Sequence, residues 1–192
     1  MRFYDREDEI RILLENEAQA ENTAMFTVLM GRRRVGKTSL IAKALEGKVS
    51  AYLFVSRDSE AMLCRKFQRS LEEQLGIHIY GELTYFRDLF EVIMRESINR
   101  HFTVVFDEFQ TLYKINPAIF SEIQDLWDRY HRESKLNLIV VGSIQSLMRR
   151  IFEDKNEPLY GRPTSKFTLY PFRTDVLKEI LAEHSPDYGN ED

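Results

Sequence analysis

The stretch Gly31-Arg-Arg-Arg-Val-Gly36-Lys37-Thr38 constrains this chain more than any other. It follows the apolar run Met25 to Met30 and precedes Ser39 to Leu45, which reads as a helix. The pattern G-x-x-x-x-G-K-[ST] between a strand and a helix is a phosphate-binding loop. Gly31 and Gly36 are expected to supply the positive φ that turns successive N–H groups inward onto phosphate oxygens. Lys37 would reach the β- and γ-phosphates, and the Thr38 hydroxyl would hold Mg²⁺. Ser39 lies at the helix N-terminus, whose partial positive charge adds to the site. Arg32, Arg33, Arg34 and Val35 complete the loop, the arginines facing solvent and open to a partner or polyanion.

Length and composition narrow the remaining classes. At 192 residues the chain fits one domain with a sizeable core. Thirty-one acids against 27 bases give −4, so no global field marks a partner of one charge sign. Cys64 is the only cysteine, which excludes disulfides within the chain, and its apolar neighbours predict a buried thiol. His78, His101, His131 and His184 lack metal-ligand spacing, so no structural metal site is expected. The N-terminus is charged and no apolar run approaches the roughly 18 residues of a membrane span. A soluble, cytoplasmic protein with no membrane partner is expected.

Apolar periodicity predicts the elements around the loop. Asp5 to Leu14 reads as a helix and Glu15 to Ala24 as a helix end and connector. Strands are expected at Met25–Met30, Ser50–Val55, His101–Phe106, Leu136–Val141 and Phe167–Tyr170. Helices are expected from Leu63 to Leu75, from about Thr84 to Ile98, and from an Asn116 cap with Pro117 in the first turn through Tyr130. Two more are expected at Ile144 to Phe152 and Thr174 to Glu183. Apolar strands separated by helices imply a three-layer α/β/α fold around a parallel, five-stranded sheet. The domain is drawn at 1–184, with 185–192 as a polar tail.

Ligands of such sheets bind at the C-terminal ends of the strands. Asp107 and Glu108 stand there, at the end of the third strand. Asp107 suits Mg²⁺ through its water shell with Thr38, and Glu108 suits the general base that polarises water attacking the γ-phosphate. Ser143, and less directly Gln145, follow the fourth strand, where they either bond the phosphate or water or cap the next helix. Arg162, on a turn-rich segment, can neutralise charge on a transferring phosphoryl group in its own subunit or a neighbour's, or be an ordinary surface arginine.

With these residues placed, the sequence resembles the archaeal ATPase family, a branch of the P-loop ATPases related to AAA+ and STAND proteins. The resemblance rests on Phe3-Tyr-Asp-Arg-Glu7 with Glu9 and Leu13, GRRRVGKTSL, VVFDEFQ, VVGSIQSLM and PLYGRPTSKFTLYPF. It implies an ASCE/AAA+-like sheet, Phe3 to Arg6 near the adenine, Ser143 as sensor 1, and Arg162 in the arginine-finger region. It also implies ATP and Mg²⁺ as ligands, self-association through Arg162, and DNA by analogy only. Family members continue into a helical lid and a winged-helix region, which are expected to be absent from this chain. The expected function is an ATPase core acting as a conformational or assembly switch. A nucleotide-responsive module without turnover and a small-molecule phosphotransferase are the alternatives.

Overall fold

The apolar runs form one parallel sheet. In a computed structural model that describes residues 6–172, the strands are β1 (Met25–Gly31), β2 (Ser50–Phe54), β3 (Phe102–Asp107), β4 (Leu136–Gly142) and β5 (Ser165–Leu169). Their order across the sheet is β2-β3-β4-β1-β5, and every neighbouring pair is parallel. β1 and β4 are buried along their whole length. They show no polar alternation because helices cover both faces.

The helices are α1 (Glu7–Gln19), α2 (Lys37–Ala44), α3 (Glu60–Leu75), α4 (Phe86–Asn99), α5 (Leu112–Ile115), α6 (Ile119–Tyr130) and α7 (Gln145–Glu153). Successive strand side chains point to opposite faces. Leu29, Val105, Ile139 and Val141 therefore meet Leu13 of α1 and Leu40 and Ile41 of α2. Val28, Val104, Phe106 and Leu138 face the other way, into the larger core under α3, α4, α6 and α7. That core is aromatic: Phe106 lies 5.7 Å from Phe67 and 5.6 Å from Phe86, and Phe109 lies 5.6 Å from Phe120 and 5.8 Å from Phe152. Burying each such ring stabilises the fold by roughly 1.5–3 kcal/mol.

Several boundaries depart from the periodicity, each for a physical reason. α1 runs on to Gln19 instead of ending at Leu14. In its polar half Asn16 and Glu17 are buried, Asn16 Nδ2 donating to Thr27 Oγ1 and Ser165 Oγ and Glu17 taking Lys48 and His101. The segment after Glu108 forms a 3-10 turn, Phe109–Thr111, and then α5, neither of which periodicity showed. Asn116 Oδ1 accepts the Ala118 N–H, 3.1 Å away, in a turn that precedes α6 instead of capping it. β5 starts two residues earlier than expected, at Ser165, where it pairs with Thr27. The expected helix Thr174 to Glu183, the tail 185–192 and Phe3 to Asp5 lie outside the described residues.

Candidate nucleotide site

Because β4 is inserted between β1 and β3, the loop after β1 and the acids after β3 straddle the end of β4. Three sequence-distant segments thus meet at one edge, where the C-terminal ends of parallel strands converge.

The loop leaves β1 at Gly31 and enters α2 at Lys37. Gly36 caps α2 with φ 96°, as expected of a glycine here. Gly31 does not have positive φ; the second left-handed residue is Arg34, at φ 64°. Gly31 is needed for a different reason, because a Cβ there would lie 2.8 Å from the Leu169 carbonyl oxygen of β5. Arg32, Arg33, Arg34, Gly36, Thr38 and Ser39 are exposed, Val35 is half-buried, and Lys37 is buried. The Lys37 amine donates to the Gly31 and Arg32 carbonyls at 2.8 and 2.9 Å, which curls it into the loop. Burial pushes its pKa below the usual lysine range, and the Asp107 and Glu108 carboxylates counter part of that fall.

Asp107 ends β3 with both oxygens engaged. Oδ1 accepts the Glu108 N–H at 2.8 Å, and Oδ2 accepts the Tyr52 hydroxyl at 2.5 Å. The same hydroxyl lies 3.5 Å from Thr38 Oγ1. Thr38 and Asp107 therefore flank one phenol oxygen. Hydroxyl and carboxylate oxygens gathered at one place are the hard donors that suit Mg²⁺, which keeps several waters of its own. Burial, followed by the bond to Asp107, raises the Tyr52 pKa well above that of free tyrosine, so the phenol stays protonated as a donor.

Glu108 adopts φ 55°, a left-handed conformation uncommon for a non-glycine residue. Ser143 Oγ donates to its Oε2 at 2.9 Å, and Gln110 Nε2 donates to the same oxygen at 2.6 Å. Ser143 does not cap α7, which has no side-chain cap bond; its observed partner is the Glu108 carboxylate. Beside Glu108 lies a cavity of about 150 Å³ whose lining includes Arg33, Ser56, Thr111 and Lys114.

Arg162 is not part of this cluster. It precedes β5, and Thr164 N donates to the Phe26 carbonyl at the start of β1. From Phe26 to Gly31 the strand rises roughly 16 Å, so Arg162 sits at the far end of the sheet from its own loop. There Asp128 of α6 holds the guanidinium at 2.9 Å. The own-subunit reading is thereby corrected, while a neighbour's site and an ordinary surface arginine paired with Asp128 both stay open. At the near end, buried Arg6 donates to the Tyr170 carbonyl at 2.6 Å and lies over the Phe172 ring. That ties Arg6, at the start of α1, to the end of β5, next to the loop.

Motif reasoning missed Tyr52 and Gln110. The faint signal for Tyr52 was a polar group in the largely apolar run SAYLFV; Gln110 stood two residues past Glu108 in VVFDEFQ, with no pattern of its own.

A parallel sheet with a glycine–lysine loop after β1 and an acid pair after β3 defines a P-loop nucleotide-binding domain. Residues 3–191 match the family described as an ATPase domain predominantly from Archaea, and the chain belongs to that family. It is 30% identical over 179 residues to an uncharacterized protein of Methanocaldococcus jannaschii, covering 93% of this chain and 38% of that protein. Its fold is similar to that of a Walker-type ATPase of Pyrococcus abyssi, with TM-score 0.69 and 24% identity over 94% of this chain and 57% of that one. It is likewise similar to the Orc1 protein of Aeropyrum pernix, determined in complex with DNA, with TM-score 0.64 and 16% identity over 95% of this chain and 49% of that one. The chain thus spans about two-fifths of the first relative and about half of these two structures. Among the described residues, no helix is long and apolar enough to cross a membrane.

Proposed function

We propose that this chain is the ATP-binding, Mg²⁺-dependent catalytic core of an ATPase whose turnover drives a conformational or assembly switch. The observation that carries the reading is the Glu108 carboxylate, held by Ser143 at the end of the strand beside the Lys37 loop. The loop N–H groups and the Lys37 amine would bind the β- and γ-phosphates once nucleotide draws the amine away from the loop carbonyls. Bound Mg²⁺ would neutralise developing phosphate charge, with Thr38 and Asp107 as the residues that hold it and its waters. A water oxygen attacks the γ-phosphorus, the bond to the β,γ-bridging oxygen breaks, ADP departs, and Glu108 accepts the water's proton. Ser143 keeps the carboxylate aimed. Arg162, from a neighbouring chain, would add positive charge opposite the γ-phosphate.

Paired carboxylates suit water activation better than binding of a sugar or nucleoside acceptor. A DNA partner rests on the exposed Arg32, Arg33 and Arg34 and on the likeness to a DNA-bound Orc1. It predicts duplex affinity that falls steeply with salt, and a flat salt response overturns it. For the ATPase itself, Lys37→Ala is expected to abolish ATP binding in calorimetry. Phosphate release that rises faster than linearly with protein concentration, and loses that rise in Arg162→Ala, is the mark of a neighbour's arginine. Nucleotide affinity without turnover at any protein concentration would instead identify a nucleotide-responsive module.

A further inference from the structure

Gln110 is an anomaly that the proposed chemistry leaves unused. Gln110 is 1% exposed, beside Phe109, Leu112 and Met148 of the apolar core. One end of the amide is satisfied by Glu108 Oε2 at 2.6 Å. The other, Oε1, is buried without a hydrogen-bond partner. Turning the amide over would not help, because it would set a carbonyl oxygen against a carboxylate. A buried orphan acceptor is costly, so a leucine of similar size would fit this place with better stability.

The surroundings are shaped to admit the amide. Gly142, the last residue of β4, passes so close that a Cβ there would lie 2.6 Å from Gln110 Oε1 and 2.4 Å from the Met148 side chain. Phe109, one residue before, is locked between Phe120 and Phe152. The backbone from which Gln110 projects is therefore fixed by the core, whereas Glu108 itself is held in a left-handed conformation. Ser143 approaches the same oxygen from the end of β4. Two donors on rigid, separate elements thus converge on Oε2, and among the described residues no hydrogen bond reaches Oε1.

We infer that Gln110 is a positioning residue: together with Ser143 it fixes the Glu108 carboxylate so that its second oxygen is presented to the attacking water. The inference rests on the assignment of Glu108 as the base, and its test has an arm that does not depend on turnover. Gln110→Leu removes the donor at nearly constant volume and removes the orphan acceptor. Gln110→Glu keeps the shape and replaces the donor by a second carboxylate.

The test compares the parent, both Gln110 variants, Glu108→Gln, and Glu108→Gln/Gln110→Leu in single-turnover ATP hydrolysis, ATP binding and thermal unfolding. Both single Gln110 variants are expected to lower the hydrolysis rate by about tenfold, the scale of one hydrogen bond to a charged group, with ATP affinity unchanged. Gln110→Leu is expected to match or exceed the parent's melting temperature. In the Glu108→Gln background, Gln110→Leu should cost nothing further. The second arm follows the Gln110 side-chain amide by ¹⁵N NMR, where Glu108→Ala should shift its NH₂ signals and speed their exchange with solvent. Unchanged hydrolysis in Gln110→Leu, or the same loss with Glu108 already replaced, overturns the inference. So do Gln110 signals that ignore Glu108→Ala. A parent that binds ATP without hydrolysing it refutes the proposed function, and the NMR arm then decides by itself whether Gln110 holds Glu108.

Discussion

The two ends of the sheet are built on opposite terms. At the N-terminal ends of the strands, polar side chains tie elements together: Asn16 links α1 to β1 and β5, the Ser97 and Ser134 hydroxyls lie 2.6 Å apart, and Glu17 binds both Lys48 and His101. At the C-terminal ends lie the two non-glycine residues with positive φ among those described, Arg34 and Glu108, together with buried Lys37 and the orphan Gln110 Oε1. Strained backbone and costly polar burial persist where surrounding packing over-determines them, and they cluster at functional sites. Unpartnered buried atoms occur at both ends, Asn137 Oδ1 at the start of β4 as well as Gln110 Oε1, so the left-handed backbone at Arg34 and Glu108 and the burial of Lys37 are what set the C-terminal end apart.

Substitutions at the two ends should accordingly fail in different assays. The largest effect belongs to Lys37→Ala, which should weaken ATP binding by at least about a hundredfold while leaving the melting temperature nearly unchanged, because it removes charge-assisted bonds to phosphate. At the other end, Glu17→Gln should lower stability by about 1–3 kcal/mol at pH 7 without altering ATP affinity. The pH dependence has a definite sign. Burial alone would raise the Glu17 pKa, but the bonds to Lys48 and His101 outweigh it and hold Glu17 below the free value of 4.5. Its contribution is therefore present above that pH and lost as pH falls below it, so the gap between parent and variant should close in acid. Urea titrations at pH 7 and below 4.5 check this.

Tyr52→Phe should raise the Mg²⁺ concentration needed for tight ATP binding by roughly tenfold, the scale for a residue that orients a metal-holding carboxylate. Titration of nucleotide fluorescence with Mg²⁺ reads it, and an unchanged requirement would detach Tyr52 from the site. The smallest effect on the isolated chain is that of Arg162→Ala. Its ion pair with Asp128 is partly exposed, so stability should fall by about 1 kcal/mol or less. A large loss of stability would move Arg162 into the structural class and away from any neighbour's site.

The sequence made the P-loop and the acid pair readable because each is a local pattern with its own mechanism, and the apolar runs made the parallel sheet readable. What it hid depends on register between distant segments. Gln110 and Ser143 meet on one oxygen only because Phe106 pairs with Val140, which brings the ends of β3 and β4 level. Tyr52 reaches Asp107 only because Phe54 pairs with Asp107, placing β2 alongside. The distance of Arg162 from the loop, on which its own-subunit role turned, is set by where β5 pairs with β1. Glu15 to Ala24 read as a helix end and connector, and how far the helix runs was hidden because Asn16 and Glu17 are buried against partners far along the chain. Gly31 was correctly singled out for the wrong property, as the close pass of β5 requires it and a positive φ does not.

The central claim is that Glu108 activates water at an ATP site. Single-turnover hydrolysis by Glu108→Gln, measured beside its ATP affinity, tests it most directly. The account predicts parent-like binding with hydrolysis slowed at least about a hundredfold. Hydrolysis at the parent's rate would contradict it.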